Sequence, residues 1–194
     1  MFRITREMLK AKGACTSGYR EFCEAFPDDK YLDGVEYQEV LDKCADHGRD
    51  NHASWLLEAF GATNDVKHID GDLVSDNSVY VCGRLEVTGR IICKKYIKAG
   101  EDIKAGWGIK AGLDIKAGLD IEAGGDIEAG WDIEAGLDIE AGGDIEAGEG
   151  YGIYAGLRCK LSMSNYRKIS AKSKPDNIMC GEWVGPPDKE AVSR

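Results

Sequence analysis

The chain has 194 residues, a formal net charge of −10 and 43% hydrophobic residues. That length holds one domain or a small domain followed by an elongated one, and that hydrophobic content excludes wholesale disorder. The acidic balance argues against direct binding to nucleic acid or anionic membranes.

Residues 1–60 read as four short helices. Thr5 can cap "REMLKAK", and Ser17 can cap "GYREFCEAF", which Pro27 follows. "VEYQEVLDKCADHG" places Val35, Val40, Leu41 and Cys44 at helical spacing, and "RDNHASWLLEAFG" repeats that grammar with Trp55, Leu56, Ala59 and Phe60. Residues 61–72 are a polar connection.

From Leu73 the period changes to six. Ile97 and every sixth residue to Ile145 is isoleucine, and the same frame runs back through Ile91, Leu85 and Val79 to Leu73. Forward it meets Tyr151, Leu157, Met163 and Ile169, so the break at "EGYGIYAGL" reads as substitution without insertion. Two residues later stands another apolar one, Val81, Val87, Cys93, then alanine in every repeat from Ala99 to Ala147, then Ile153 and Cys159, with only Ser75 and Asn165 polar near the two ends. Positions one and three of a strand share a face, so each hexad is a very short strand with two inward side chains. A glycine corner follows, with positive φ as the expected reason for the glycine. One hexad cannot bury its apolar pair alone, but stacked coils can. The expected fold class is α+β: a small helical domain at 1–60, a linker at 61–72, and a three-sided, right-handed β-helix of about 17 hexads at 73–174. With three hexads per coil and ~4.8 Å between coils, the rod is about 27 Å long. The ends of such a rod are open strand edges. The helical head would cover the first coil, and the tail 175–194, containing "PDNIMCGEWVGPP", the last.

The hexads resemble those of two solenoid families. Hexapeptide-repeat acyltransferases place the small residue two positions before the aliphatic one. Here alanine follows by two, and no repeat holds a histidine, so acetyl transfer is not implied. "VYVCGRLEVTGRIICKKYIKAG" resembles the polymer-forming β-helices of the bactofilin type, over about residues 79–174. "ITREMLKAKGACTSGYREF" and "KAGWGIKAG" are similar to uncharacterised phage and prophage proteins, which implies a mobile-element origin.

The outward position two reads Lys98, Lys104, Lys110, Lys116, then Glu122, Glu128, Glu134, Glu140, Glu146. With eighteen residues per coil, Lys104 lies beside Glu122, Lys110 beside Glu128 and Lys116 beside Glu134, each pair worth ~0.2–1 kcal/mol when exposed. Glu122 then meets Glu140 and Glu128 meets Glu146, a repulsion of roughly 1 kcal/mol in water. Corner aspartates Asp126, Asp132, Asp138 and Asp144 add to the same stretch. Residues 97–150 carry fourteen acids against four lysines, whereas 151–174 carry Arg158, Lys160, Arg167, Lys168, Lys172 and Lys174 and no acid. The aspartates can serve as local Asx-turn acceptors and the glutamates as solubilising charge. Alternatively the rows imitate the polyanion of nucleic acid, as acidic pentapeptide-repeat solenoids do, and enter a groove built for phosphates. Trp107 and Trp131, at an outward corner, are candidate interface anchors.

Other chemistry is thin. The seven cysteines form no C-x-x-C pair, which fits reduced thiols and neither a zinc site nor a disulfide framework. His47, His52 and His68 read as surface or capping residues. No P-loop, dinucleotide fingerprint or triad-like cluster is present, and "GGD" does not follow the period of calcium-binding solenoids. With no apolar run near ~18 residues and no leader-like start, a cytoplasmic protein is expected, in the host cell if phage-encoded.

The functional expectation is therefore a non-enzymatic acidic binding protein without cofactor. It would block a host nucleic-acid-handling defence complex, of anti-CRISPR or anti-restriction type, by DNA mimicry. Glu122, Asp126, Glu128, Asp132, Glu134, Asp138, Glu140, Asp144, Glu146, Trp107 and Trp131 would meet the protein partner. The alternative is a self-associating, bactofilin-like scaffold, with homo-oligomers forming through the β-helix.

Overall fold

The computed structural model describes residues 2–27, 31, 33–158 and 167–186. The head holds α1 (Arg6–Ala11), α2 (Thr16–Ala25), α3 (Tyr37–Asp46) and α4 (Asp50–Phe60). Thr5 caps α1 by accepting the Met8 N–H at 3.3 Å. The cap of α2 is Cys15, not Ser17: its Sγ accepts the Gly18 N–H at 3.4 Å, so the helix begins two residues earlier than its hydrophobic pattern suggests. Gly61, with φ of 74°, ends α4. A short ribbon not visible in the helical patterning joins Arg3–Ile4 to Val35–Glu36, antiparallel. Ile4, Leu9, Phe22, Tyr37, Leu41 and Leu56 fill the core of the head, and the buried Tyr37 hydroxyl donates to the Leu56 carbonyl at 2.7 Å.

The rest of the chain is a parallel β-solenoid with three faces. Among the described residues the first face has seven strands, from Val66–Ile69 to Glu182–Gly185; the second has five, from Leu73–Ser75 to Ile145–Glu146; the third has six, from Val79–Val81 to Ile178–Cys180. In the regular part every strand pairs in parallel with the strand eighteen residues away, Ile109 beside Ile91 on one side and Ile127 on the other. The isoleucines from Ile91 to Ile145 and the alanines from Ala99 to Ala141 are buried and form one continuous core. Burying an isoleucine side chain stabilises by about 1.5–3 kcal/mol, and a nearly invariant core lets identical shapes interlock coil after coil.

The corner glycines have a different cause from the one expected. None from Gly100 to Gly148 has a positive φ. Instead, the coils stack so closely that a Cβ on Gly112, Gly118, Gly124, Gly130 or Gly136 would run into the carbonyl oxygen of the residue one coil before. The glycine is there for clearance, and backbone conformation does not require it.

The frame also breaks where substitution was expected. Ile153, not Tyr151, pairs with Ile133, a step of twenty residues. Ile169 pairs with Ile139, a step of thirty. Two extra residues therefore enter near Gly150, whose φ is 83°, and ten more enter before Ile169. Together they equal two hexads, which is why Ile169 falls back into the six-residue count. Tyr151 (38% exposed) and Leu157 (49%) point outward, and Ile153 and Ala155 take the inward places. Met163 and Lys160 lie outside the described residues. The solenoid also reaches beyond 73–174. It opens at Val66–Ile69, inside the stretch read as linker, and Ile178–Cys180 and Glu182–Gly185 of the tail extend two faces.

Head and rod meet on the third face. Tyr80 alternates outward from the solenoid core, yet is only 1% exposed because it belongs to the core of the head; its hydroxyl lies 3.1 Å from Asp50 Oδ1. Val79–Val81 is an edge strand, and Gln38 of α3 satisfies that edge with its amide. Nε2 donates to the Tyr80 carbonyl at 2.7 Å, and Oε1 accepts the Cys82 N–H at 3.0 Å. Lys67, 3.0 Å from Asp42, ties the first face to the same helix.

Replacing Gly124 with alanine is expected to lower stability by about 1–3 kcal/mol, because the coil spacing must open locally. Ile121→Ala is expected to cost about 2–5 kcal/mol through the cavity it leaves. Urea unfolding followed by circular dichroism measures both, and a neutral Gly124→Ala would refute the clearance argument.

Candidate functional site

The outward residues fall into vertical rows, because each face repeats every eighteen residues. On the first face the row is His68, Glu86, Lys104, Glu122 and Glu140. On the second it is Val74, Ile92, Lys110, Glu128 and Glu146, and on the third Tyr80, Lys98, Lys116, Glu134 and Tyr154. Each row contains one lysine–glutamate contact: Lys104 Nζ to Glu122 at 2.8 Å, Lys116 to Glu134 at 2.6 Å, and Lys110 to Glu128. Three of the five glutamates thus have a cation from the preceding coil. Glu140 and Glu146 stack on the other side of Glu122 and Glu128 without one. Burial, followed by the neighbouring Glu122 charge, raises the Glu140 carboxyl above its ordinary value.

The aspartates do something the glutamates do not. Each folds across to the next coil and accepts a hydrogen bond there with Oδ1. Asp102 takes the Asp120 N–H at 3.1 Å, Asp120 that of Asp138 at 2.8 Å, and Asp138 that of Lys168 at 2.6 Å. Asp114 takes the Asp132 N–H at 3.3 Å, and Asp132 that of Gly152 at 2.8 Å. Asp126 takes the Asp144 N–H at 2.9 Å, and Asp144 accepts from the Ser173 hydroxyl at 2.6 Å. These are bonds between coils, unlike the local Asx-turns expected. They make Asp126, Asp132, Asp138 and Asp144 parts of the framework, though their charge still adds to the field of the rod. Asp102 is buried, and Arg84 Nε lies 2.8 Å from its Oδ2. Burial raises Asp114 and Asp120 despite the N–H bond each receives.

The two tryptophans differ. Trp131 stacks on Tyr151, centroids 5.6 Å apart and planes at 10°, and meets Tyr96 edge-on at 6.1 Å. Its corner is held by its own aromatic column. Trp107 is 67% exposed, and glycines, Gly89 and Gly125, occupy the corner positions on either side of it. It is the better anchor of the two.

A second cluster lies in the head, where no triad-like grouping was expected. Cys15 Sγ is 4.0 Å from His52 Nε2, and His52 Nδ1 is 3.6 Å from Glu21 Oε2, which also meets Arg49 Nε at 2.9 Å. The Ser17 hydroxyl, followed by the Gly18 N–H, holds the Cys15 thiol below its ordinary pKa. By contrast, burial pushes Cys44 up to about 11. The only trace of this cluster in sequence is a cysteine followed by "TSG" at a helix start. The histidine comes from another helix.

Residues 1–62 match the family described as YdhT N-terminal domain. The match covers the head and ends two residues after α4, so it does not reach the solenoid. Comparison with curated proteins and with solved structures gives no match. No helix among the described residues is long and apolar enough to cross a membrane, and among them no group of three or more His, Cys, Asp or Glu side chains is placed to hold a metal ion.

A raised folded-state carboxyl destabilises the charged form. That penalty is present at neutral pH and disappears as pH falls through the raised value. Glu140→Gln should therefore melt above the unmodified protein at pH 7, and the gap should close on acidification. Melting temperatures across pH 7 to 4 check this, and a lower melting temperature at pH 7 would contradict it.

Proposed function

We propose that the solenoid is a partner-binding rod whose acidic half occupies a basic, nucleic-acid-handling channel of a host complex, in the manner of a phage- or mobile-element-encoded inhibitor of defence. The observation that carries this reading is the stacking of Glu140 on Glu122 and of Glu146 on Glu128. Like charges at strand spacing repel by roughly 1 kcal/mol in water, and the lysines one coil earlier show that the frame accepts the opposite sign. Folding gains nothing from these pairs, whereas a cationic channel would relieve them. The aspartate bonds between coils support the same reading indirectly. They stiffen the rod, so the glutamates meet a partner as a pre-arranged array with little entropy left to lose. Trp107 adds an exposed aromatic anchor beside the second face.

A second reading is self-association through the far end. Among the described residues, Ile178–Cys180 and Glu182–Gly185 are the outermost strands of their sheets, and Met179, Trp183 and Val184 are exposed there. Unpaired strand edges with apolar neighbours favour stacking of copies. Light scattering across a salt series separates the two readings: growing assemblies indicate the scaffold, a constant small particle the rod.

For the first reading, a complex retained by the protein from host lysate is challenged with duplex DNA. DNA should displace the protein, and the affinity should fall steeply with salt. Glutamine at residues 122, 128, 134, 140 and 146 together should weaken binding about tenfold or more. Unchanged binding by that variant would sink the proposal.

A further inference from the structure

The head holds a cavity of about 390 Å³, at the small end of the ~300–1,000 Å³ typical of ligand pockets. Leu9, Phe22, Phe26, Val40, Trp55 and Leu56 make its walls largely hydrocarbon. Polar residues complete the lining, and of these Cys15, Lys43, His47, Arg49 and Asn51 are exposed. The thiol, imidazole and carboxylate of Cys15, His52 and Glu21 follow one another in the order nucleophile, base, orienting acid. Glu21 beside Nδ1 favours the proton on that nitrogen and leaves the Nε2 lone pair toward the thiol. Arg49 Nε holds the same Glu21 oxygen, Oε2, at 2.9 Å. Cys15 Sγ and His52 Nε2 are 4.0 Å apart, the outer limit of a sulfur hydrogen bond and a separation that proton transfer must shorten.

Two more features suit a reacting thiol. Cys15 caps a ten-residue helix, so its sulfur lies at the positive end of that helix and accepts the Gly18 N–H. Gly18 keeps the approach open: a Cβ there would lie 3.3 Å from the sulfur and 3.5 Å from His52 Nε2. The lining also includes the exposed cations Lys43 and Arg49 around an apolar hole. Hydrocarbon inside, a carbonyl-reactive thiol at the mouth and cations outside describe one class of ligand: a fatty acyl chain joined by a thioester to a phosphate-bearing carrier.

We propose that Cys15 is an acyl-accepting nucleophile, taking a medium-chain acyl group from a coenzyme A-type thioester with the chain seated in the head cavity. His52 Nε2 removes the thiol proton, and the Cys15 sulfur attacks the thioester carbonyl carbon. A new carbon–sulfur bond forms, the bond to the carrier sulfur breaks, and His52 returns the proton to the departing thiolate. One thioester and one thiol enter, one thioester and one thiol leave, and no oxidant or reductant takes part.

The test uses the whole protein with decanoyl-coenzyme A, followed by intact-mass spectrometry and peptide mapping. A single acyl adduct on Cys15, released by neutral hydroxylamine, is expected, forming about 100-fold faster than on Cys23 or on the chain in urea. Cys15→Ser abolishes it. His52→Asn slows it about 100-fold at neutral pH and moves the pH–rate profile upward, while the melting temperature stays unchanged. Ala25→Phe, which narrows the cavity, suppresses transfer from the decanoyl donor but not from acetyl-coenzyme A. The proposal is overturned if Cys15 reacts no faster than Cys23, or if folded His52→Asn and Ala25→Phe proteins both acylate like the unmodified one.

Discussion

The distance between stacked coils governs this molecule. A parallel β-ladder holds neighbouring strands ~4.8 Å apart, and at the corners that spacing brings a carbonyl oxygen to the place where a side chain would begin. Glycine is the residue that leaves room. Once it is in place, the strand before it has three residues in which to bury two side chains, and isoleucine and alanine meet copies of themselves in the coils on either side. The aspartate that opens the next strand sits at the right height to reach the N–H one coil further on. Repetition in the sequence thus follows from repetition of a single contact.

The solenoid was legible because a period of six survives inspection without any spatial knowledge. The frame from Val79 to Ile145 needed only the alternation of inward and outward residues. What misled was equally physical. Tyr151 and Leu157 are apolar, and the two insertions sum to twelve residues, so counting alone returned to register at Ile169. The clearance role of the glycines depends on a neighbour eighteen residues away, which no local rule about turns contains. The lysine–glutamate pairs were readable because coil length follows from three faces. The aspartate bonds were not, since an acidic residue after glycine has a familiar local use. Cys15, Glu21 and His52 come from α2 with its cap and from α4, and only the packing of those helices brings them together.

Two kinds of carboxylate emerge from one acidic stretch. The aspartates are tied into the backbone ladder, and their substitution concerns folding. The glutamates stand on open faces, where three lean on lysines and two on other glutamates. The same net charge therefore has separable structural and surface parts. The head, joined to the rod by Gln38 and Tyr80, carries an apolar cavity with a thiol at its mouth, a chemistry unrelated to either.

The eighteen-residue register has a bearing on how such a chain changes over generations. Deleting or duplicating one full coil returns every isoleucine, glycine and aspartate to an equivalent partner, and leaves the Gln38 clasp at one end and the final strands at the other untouched. Deleting a single hexad preserves the core equally well but turns everything downstream by one face, moving each glutamate row onto a different side. Repeat slippage can thus lengthen the rod in whole coils while keeping its surface pattern, or rotate that pattern by a third of a turn while keeping its core.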